Sequence, residues 1–482
     1  MSMIFNYLQS CFKEFLILGI LAFLGLSVGY LLVKKFLWKG KKVCSFARVI
    51  FGAMFLAYLL VVCGLTLLNR TNGMYTGRQV VPLFYSYKSA WYSPLSNEWK
   101  NIVANILLFV PFGCLLPMSI RWFQSFVKTY LAGFFVTVGI ETMQYAKDCG
   151  VSEMDDILNN LLGTMIGYGI FVAGNAVFQW GKRKLRASEE TRERGEKGSW
   201  LSVILLQIPL LVTVFVGVSL YFIYAHQELG NLSCGWDSGY SMEEGQVHSQ
   251  VTFDTKQENL PVYQIKRYSK EEARDIAEKT FSYFGASIEE SDVKTYEDSV
   301  IYSDGQEHQV WINYMEGSVS YVDFSDRESG KSNVEEAQLR QKLQALGQYI
   351  PKAATFEKVY GDSENQQYRF IADMCKEGDY IYDGELTVVC CGKQGKICRV
   401  SNHIVACKPY KEYSARSQQE AYARIVEGKF PYPVYLWKEK EKFEVEKPYI
   451  EYLIDSKGFY QPVYVFPVES KQTASIYIPA IP

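Results

Sequence analysis

Apolar residues fill long unbroken windows in the first half of the chain and recur at helix and strand periods in the second. Six windows are long enough to approach the ~20 apolar residues that cross the hydrocarbon of a bilayer. They are Phe15–Val33, Val49–Leu68, Ile102–Ile120, Phe126–Tyr145, Ile157–Phe178 and Trp200–Tyr224. The first is too long for a signal-peptide core and lacks a basic start or a small-residue cleavage site, so it is expected to stay as an anchor. Beyond Tyr224 the pattern predicts a helix at Ser269–Phe284, with Ser269 and Glu272 forming a capping box. Strands are expected at Ser299–Ser303, Gln309–Tyr314 and Ser318–Phe324, then a helix at Asn333–Leu346. Further strands are expected near Gln367–Asp373, Glu385–Cys391 and Ile397–Val405. A third helix, Ser417–Glu427, leads to strands at Tyr449–Ile454, Gln461–Phe466 and Ser475–Ile478. The expected fold class is an α-helical polytopic membrane bundle of six transmembrane helices followed by an α+β extracytoplasmic domain. Its divisions are five spans in 1–180, a basic cytoplasmic linker 181–199, the sixth helix 200–224, a tether 225–262 and the α+β domain 263–482. The helix openings Ser269-Lys-Glu-Glu-Ala273 and Ser417-Gln-Gln-Glu-Ala421 suggest two related units, 263–350 and 355–482.

Charge changes the picture in two ways. Up to Tyr224 there are 21 basic and 11 acidic residues, and after it 29 and 41, so the near-neutral whole hides a basic apolar half and an acidic polar one. The positive excess lies beside apolar spans, which argues against a nucleic-acid partner. The loops Lys34–Arg48, Arg121–Lys128 and Lys182–Lys197 carry 15 basic residues, against 6 on the opposite side. The positive-inside rule therefore expects those loops in the cytoplasm, with the N-terminus and residues 225–482 outside the cell membrane. The lipid bilayer is the one partner this reading requires.

Polar side chains are expensive in hydrocarbon, so their positions are informative. Asn101 and Asn105 share a face of the third span, which also carries Pro111 and Pro117; Glu141 and Gln144 share a face of the fourth. The fifth opens with Asp155 and Asp156, and Asp156, Asn160, Gly163, Gly167 and Gly174 make a stripe suited to close helix packing. With alternating span directions, Asn101, Asn105, Glu141, Gln144, Asp155, Asp156 and Asn160 converge at the outer end of three neighbouring helices. Three roles stay open for Glu141, Asp155 and Asp156: hydrogen bonding between helices, oxygen ligands for a divalent cation, or a titrating pair. Arg70, Arg78, Lys88 and Lys100 of the outer loop are candidate counter-charges or phosphate clamps. All four histidines follow the sixth span, which argues against a His-based catalytic or metal centre in the membrane. No other cofactor is indicated.

The run Asn105-Ile-Leu-Leu-Phe-Val-Pro111-Phe112-Gly113, then Glu141-x-x-Gln144, then Asp155-Asp156-x-x-x-Asn160-x-x-Gly163-x-x-x-Gly167 resembles the VanZ-like family over about residues 15–180. Glu153-Met154 departs from the lead-in expected before the paired aspartates. That family takes its name from a teicoplanin-resistance membrane protein of Gram-positive bacteria. The resemblance implies a cell-envelope role, a ligand among envelope lipids or glycopeptide-related molecules, and lowered glycopeptide susceptibility. Two other classes stay open: a membrane enzyme acting on a lipid-linked phosphate, such as a cell-wall lipid intermediate, and a sensor working through its tail. Residues 263–482 resemble PepSY-type or YycI-type extracytoplasmic modules, which implies a membrane or envelope protein partner. Of the eleven cysteines, six lie in the tail. Buried free thiols are the expectation there, and Cys390–Cys398 and Cys398–Cys407 are the pairs that adjacent strands would permit.

Overall fold

The computed structural model describes residues 24, 25, 28, 46–68, 80–93, 97–147, 152–186, 197–237, 245–296, 298–325, 333–359, 365–392, 394–431, 442–469 and 474–482. The chain divides into two compact units between Glu228 and Leu229. The first expected span lies almost wholly outside the described residues.

In the first unit the helices are α1 (Phe46–Cys63), α2 (Tyr85–Tyr92), α3 (Asn97–Ser119), α4 (Phe126–Lys147), α5 (Met154–Arg186), α6 (Lys197–Leu205) and α7 (Ile208–His226). Two short strands, β1 (Val80–Val81) and β2 (Ser152–Glu153), pair in parallel. Among the described residues four helical stretches are long and apolar enough to cross a membrane: Ala47–Thr66, Glu98–Ser119, Met154–Lys182 and Trp200–His226. The chain is therefore a membrane protein by helix length and composition. These correspond to the second, third, fifth and sixth of the expected spans. The helix α4 has the length of a span, 22 residues, but its hydropathy is diluted by a buried row of Thr129, Gly133, Thr137, Glu141 and Gln144.

Glycine decides how α3 and α5 meet. A Cβ on Gly163 would land within 3.0 Å of the Ile106 carbonyl oxygen, and one on Gly167 within 3.0 Å of that of Val110. Gly113 of α3 stands in the same relation to the carbonyl of Thr164. The two helices thus touch backbone to backbone, as small residues permit in hydrocarbon. The pairs advance together along both chains, so α3 and α5 run parallel. Gly174, the last position of the expected stripe, has open space around it and takes no part. On α4, Gly133 packs against the Thr164 side chain. Pro111 and Pro117 lie inside α3 without ending it; the Tyr58 hydroxyl donates to the Leu108 carbonyl at 2.8 Å, close to the first of them. Gln207, between α6 and α7, donates to the Gly169 carbonyl of α5 at 3.0 Å.

The second unit is sheet-rich. Its strands are β3 (Val247–His248), β4 (Asn259–Ile265), β5 (Lys294–Thr295), β6 (Ser299–Ser303), β7 (His308–Asn313), β8 (Val319–Asp323), β9 (Thr355–Val359), β10 (Asn365–Glu377), β11 (Tyr380–Cys391) and β12 (Lys396–Asn402). The rest are β13 (Val405–Ser414), β14 (Phe443–Val445), β15 (Tyr449–Ile454), β16 (Phe459–Glu469) and β17 (Ala474–Pro479). The helices are α8 (Lys270–Tyr283), α9 (Glu336–Ala345) and α10 (Gln418–Val426). Among the described residues all these strands belong to one sheet, antiparallel except for the β3–β14 pair. Ser269 and Glu272 form the expected capping box before α8, and Ser417 and Glu420 form a second before α10.

Two large cores underlie the sheet among the described residues, beside smaller clusters. The first gathers Phe281, Val310, Tyr321, Leu339, Phe370 and Leu386 beneath α8 and α9, and the second gathers Phe253, Ile425, Phe466 and Ile478 around α10. The first runs as far as Ile404, so a division near residue 350 falls inside it. Part of the stretch read as a tether is also folded in. Leu232, Cys234 and Phe253 are buried, the Gly230 amide donates to Asp455 at 2.6 Å, and the Asn231 amide donates to Ser456 at 2.9 Å. Cys391 and Cys398 form a disulfide between β11 and β12, a pairing absent from those the sequence suggested. A register shift between Val389 and Cys390 sets Cys390 opposite Ile397, so Cys390 does not face Cys398 as even pairing would have it. Cys234, Cys390 and Cys407 are buried free thiols, pushed up to about 12, about 11 and about 12 by burial.

Replacing Gly167 or Gly163 with Val should destabilise the bundle by at least the ~1–3 kcal/mol of ordinary overpacking, because a backbone carbonyl must give way. The unfolding midpoint of the detergent-purified protein should fall for both, while Gly174→Val leaves it unchanged. An equal effect at all three positions would contradict the backbone contact.

Candidate functional site

Most of the polar residues singled out in the sequence meet at the end of the first unit where α3 and α5 begin and α4 ends. Asn105 of α3 donates its amide to Asp156 Oδ1 of α5 at 2.5 Å. Glu141 of α4 is buried, and its Oε2 accepts the Glu153 backbone N–H at 3.2 Å. Gln144, one turn on, donates to the Thr66 carbonyl at 3.0 Å. Thr66 lies in a π-helical turn, Gly64–Leu68, that continues α1, and such turns leave carbonyls available to side chains. Asn160 donates to Thr137 Oγ1 at 2.9 Å, and Thr164 donates back to the Asn160 carbonyl at 3.0 Å. Five of the seven residues are thus drawn into the junction of α1, α3, α4 and α5. Asn101 is exposed and stays outside it.

Asp155 has a different role from the one its pairing with Asp156 suggests. It is 1% exposed, and its two carboxylate oxygens accept the backbone N–H groups of Phe84 (2.5 Å) and Ser86 (2.8 Å). These are orphan donors at the start of α2, which no residue of its own caps. A carboxylate at that position also meets the positive end of the helix dipole. Ser86 adds a bond to Glu153 Oε2 at 2.7 Å, and the Tyr87 hydroxyl donates to Asn159 Oδ1. Phe84, which precedes α2, has φ of 68°, the left-handed region that non-glycine residues seldom occupy. Four bonds from one end of α5 and its lead-in therefore hold this short helix in place. Burial first, then the charges of Asp155 and Asp156, push the Tyr87 hydroxyl up to about 12, so it remains a donor.

Among the described residues no group of three His, Cys, Asp or Glu side chains gathers at metal-ligand spacing. Two fully or nearly buried amide atoms lack a hydrogen-bond partner among the described residues: Asn159 Nδ2 and Asn160 Oδ1. Buried polar atoms without partners are uncommon, and each is a place where a ligand's complementary group would be held. Of the candidate counter-charges, Arg70 and Arg78 lie outside the described residues. Lys88 is half-buried on α2.

Residues 55–178 match the family described as VanZ/LLP1. That stretch is VanZ-like. It begins within α1, ends within α5 and contains every residue of the cluster. The VanZ-like segment therefore coincides with the part of the first unit whose helices meet through Gly113, Gly163 and Gly167. The Bacillus megaterium YpeB C-terminal domain is similar over 45% of this chain and 94% of its own length, with 12% identity and a TM-score of 0.20. No curated protein matches the chain.

Sequence reasoning passed over α2 and Asn159. The 80–93 segment has no apolar period to mark it, although Pro82 and the run Tyr85, Tyr87, Trp91 and Tyr92 carry the aromatic signature of a membrane interface. Asn159 adjoins Asn160 but lies off the 156–160–163 stripe, so spacing did not select it.

Asp155→Ala should leave two buried backbone donors without acceptors and cost about 1–3 kcal/mol for each that stays dry. Limited proteolysis of the purified protein should then cut within 80–93 before any other described part of the first unit. Uncut 80–93 in the variant would show that α2 does not depend on this carboxylate.

Proposed function

We propose that this protein is a multi-pass component of a bacterial cell membrane that binds the polar group of an envelope lipid, or of a glycopeptide-related ligand, at the polar end of its VanZ-like segment. By occupying that ligand it lowers susceptibility to glycopeptides such as teicoplanin. The observation that carries the reading is the pair of unpartnered amide atoms, Asn159 Nδ2 and Asn160 Oδ1, inside a carboxylate- and amide-rich junction of otherwise apolar helices. The basic residues flanking the spans support a cytoplasmic position for Lys34–Arg48 and Lys182–Lys197, and so an outward-facing cluster and an extracytoplasmic tail. Residues 263–482 then meet a membrane or envelope protein partner outside the cell. The role is binding rather than turnover, and no cofactor enters it.

Two measurements test this. Membrane-impermeant labelling of single cysteines in intact cells should reach position 306, an exposed residue between β6 and β7, and spare position 190; the reverse pattern overturns the outward-facing cluster. Mass spectrometry of lipids retained by the purified full chain should find an envelope lipid in the wild type. Glu141→Gln and Asp156→Asn keep shape and hydrogen bonding while removing charge, and should reduce retention and glycopeptide tolerance with the protein still monodisperse. Unchanged retention and tolerance in both variants would leave helix packing as the cluster's whole role.

A further inference from the structure

Asn159 is fully buried, one of its amide atoms is used and the other is not. Its Oδ1 accepts the Tyr87 hydroxyl of α2, and its Nδ2 has no partner among the described residues. Rotating the carboxamide would exchange the two atoms and leave the oxygen unpartnered instead, so the deficit belongs to the site and not to the assignment of the amide. What lies over Asn159 is a helix held by replaceable bonds: Asp155 to the Phe84 and Ser86 amides, Glu153 to Ser86, and Tyr87 to Asn159 itself. The left-handed Phe84 adds backbone strain at the point where that helix begins, and Leu83 and Phe84 are exposed beside it.

We propose that Asn159 is a ligand-recognition residue for an uncharged group carrying both a hydrogen-bond donor and an acceptor, such as a sugar hydroxyl or a carboxamide, and that α2 covers it as a latch pinned by Asp155. This rests on the reading that the VanZ-like segment binds an envelope amphiphile, and it names the chemistry of the group bound. Lifting α2 removes the Tyr87 hydroxyl and opens both amide atoms of Asn159 to one incoming group. The nearby carboxylates decide its charge. Asp155 lies one helical turn before Asn159 on the same face of α5, and both bond to α2, so a phosphate pressed against the amide would meet a carboxylate of like charge. A hydroxyl or carboxamide has no such penalty and satisfies donor and acceptor together.

The test uses the purified full chain in phosphatidylcholine nanodiscs doped with either diglucosyl-diacylglycerol, which offers uncharged hydroxyls, or phosphatidic acid, which offers phosphate alone. Wild type should bind the glycolipid in preference. Asn159→Leu should weaken that binding roughly tenfold without changing phosphatidic acid binding. Hydrogen–deuterium exchange across residues 84–92 should quicken when glycolipid is added. In Asp155→Asn it should be fast without glycolipid. Phe84→Gly, which relieves the left-handed strain, should slow it. Should Asn159→Leu not assemble, Asn159→Ser decides, since it withdraws both polar functions by one bond and should also lose the glycolipid. Preference for phosphatidic acid, no binding of either lipid, or undiminished glycolipid binding by the Asn159 variants overturns the recognition role. Exchange at 84–92 that ignores both glycolipid and Asp155→Asn overturns the latch. If cell-derived lipid is still retained while these results fail, the amphiphile-binding reading stands and this one falls.

Discussion

Contact between the backbones of α3 and α5 places everything at the polar end of the bundle. Because Gly113, Gly163 and Gly167 each face a carbonyl too closely for any side chain, the two helices have one register and one separation. That register sets Asn105 against Asp156, while the start of α5 meets the start of α2. Interiors this tight are not continuously adjustable. A small displacement at the glycines would be transmitted to the carboxylates as loss of specific hydrogen bonds rather than as a gradual loosening.

In hydrocarbon, a polar group gains little by being near water and loses much by being alone. The buried row on α4 meets that constraint turn by turn, with Gln144, Glu141 and Thr137 each bonded to a different neighbour: the π-turn after α1, the lead-in to α5, and α5 itself. The unpartnered atoms of Asn159 and Asn160 stand out against this background of satisfied groups. The same helix shows how a polar row facing inward lowers the average hydropathy of a 22-residue helix.

Much of this was legible in the residues because it is local. Ser269 with Glu272 announces the start of α8, and alternation places β6 and β15 to the residue. The VanZ-like motifs marked five residues that the fold then assembled. What escaped depends on partners far along the chain. Asp155 reads as an N-terminal helix residue or half of an acidic pair, and only the fold shows it capping another helix 69 and 71 positions earlier. The β4 strand was lost in an apparent tether because its strand partners, β13 and β16, come much later in the chain. Spacing likewise cannot display the register shift that takes Cys390 out of line with Cys398.

The junction at Gly230 and Asn231 has a consequence for how the tail matures. These residues come at the beginning of the second unit, yet their hydrogen-bond partners, Asp455 and Ser456, lie 225 positions later. Leu232 and Cys234 likewise pack against Val463 and Val465. The seam that closes the unit therefore joins its two ends. Contacts of such sequence separation form late and slowly, since the loop entropy must be met before they are made. A chain emerging from its N-terminal end passes through a stage in which the early strands are present and their seam is not. The tail therefore becomes complete in a single last step, when the closing strands arrive, and until then its β4 edge is open to any other extended segment in reach.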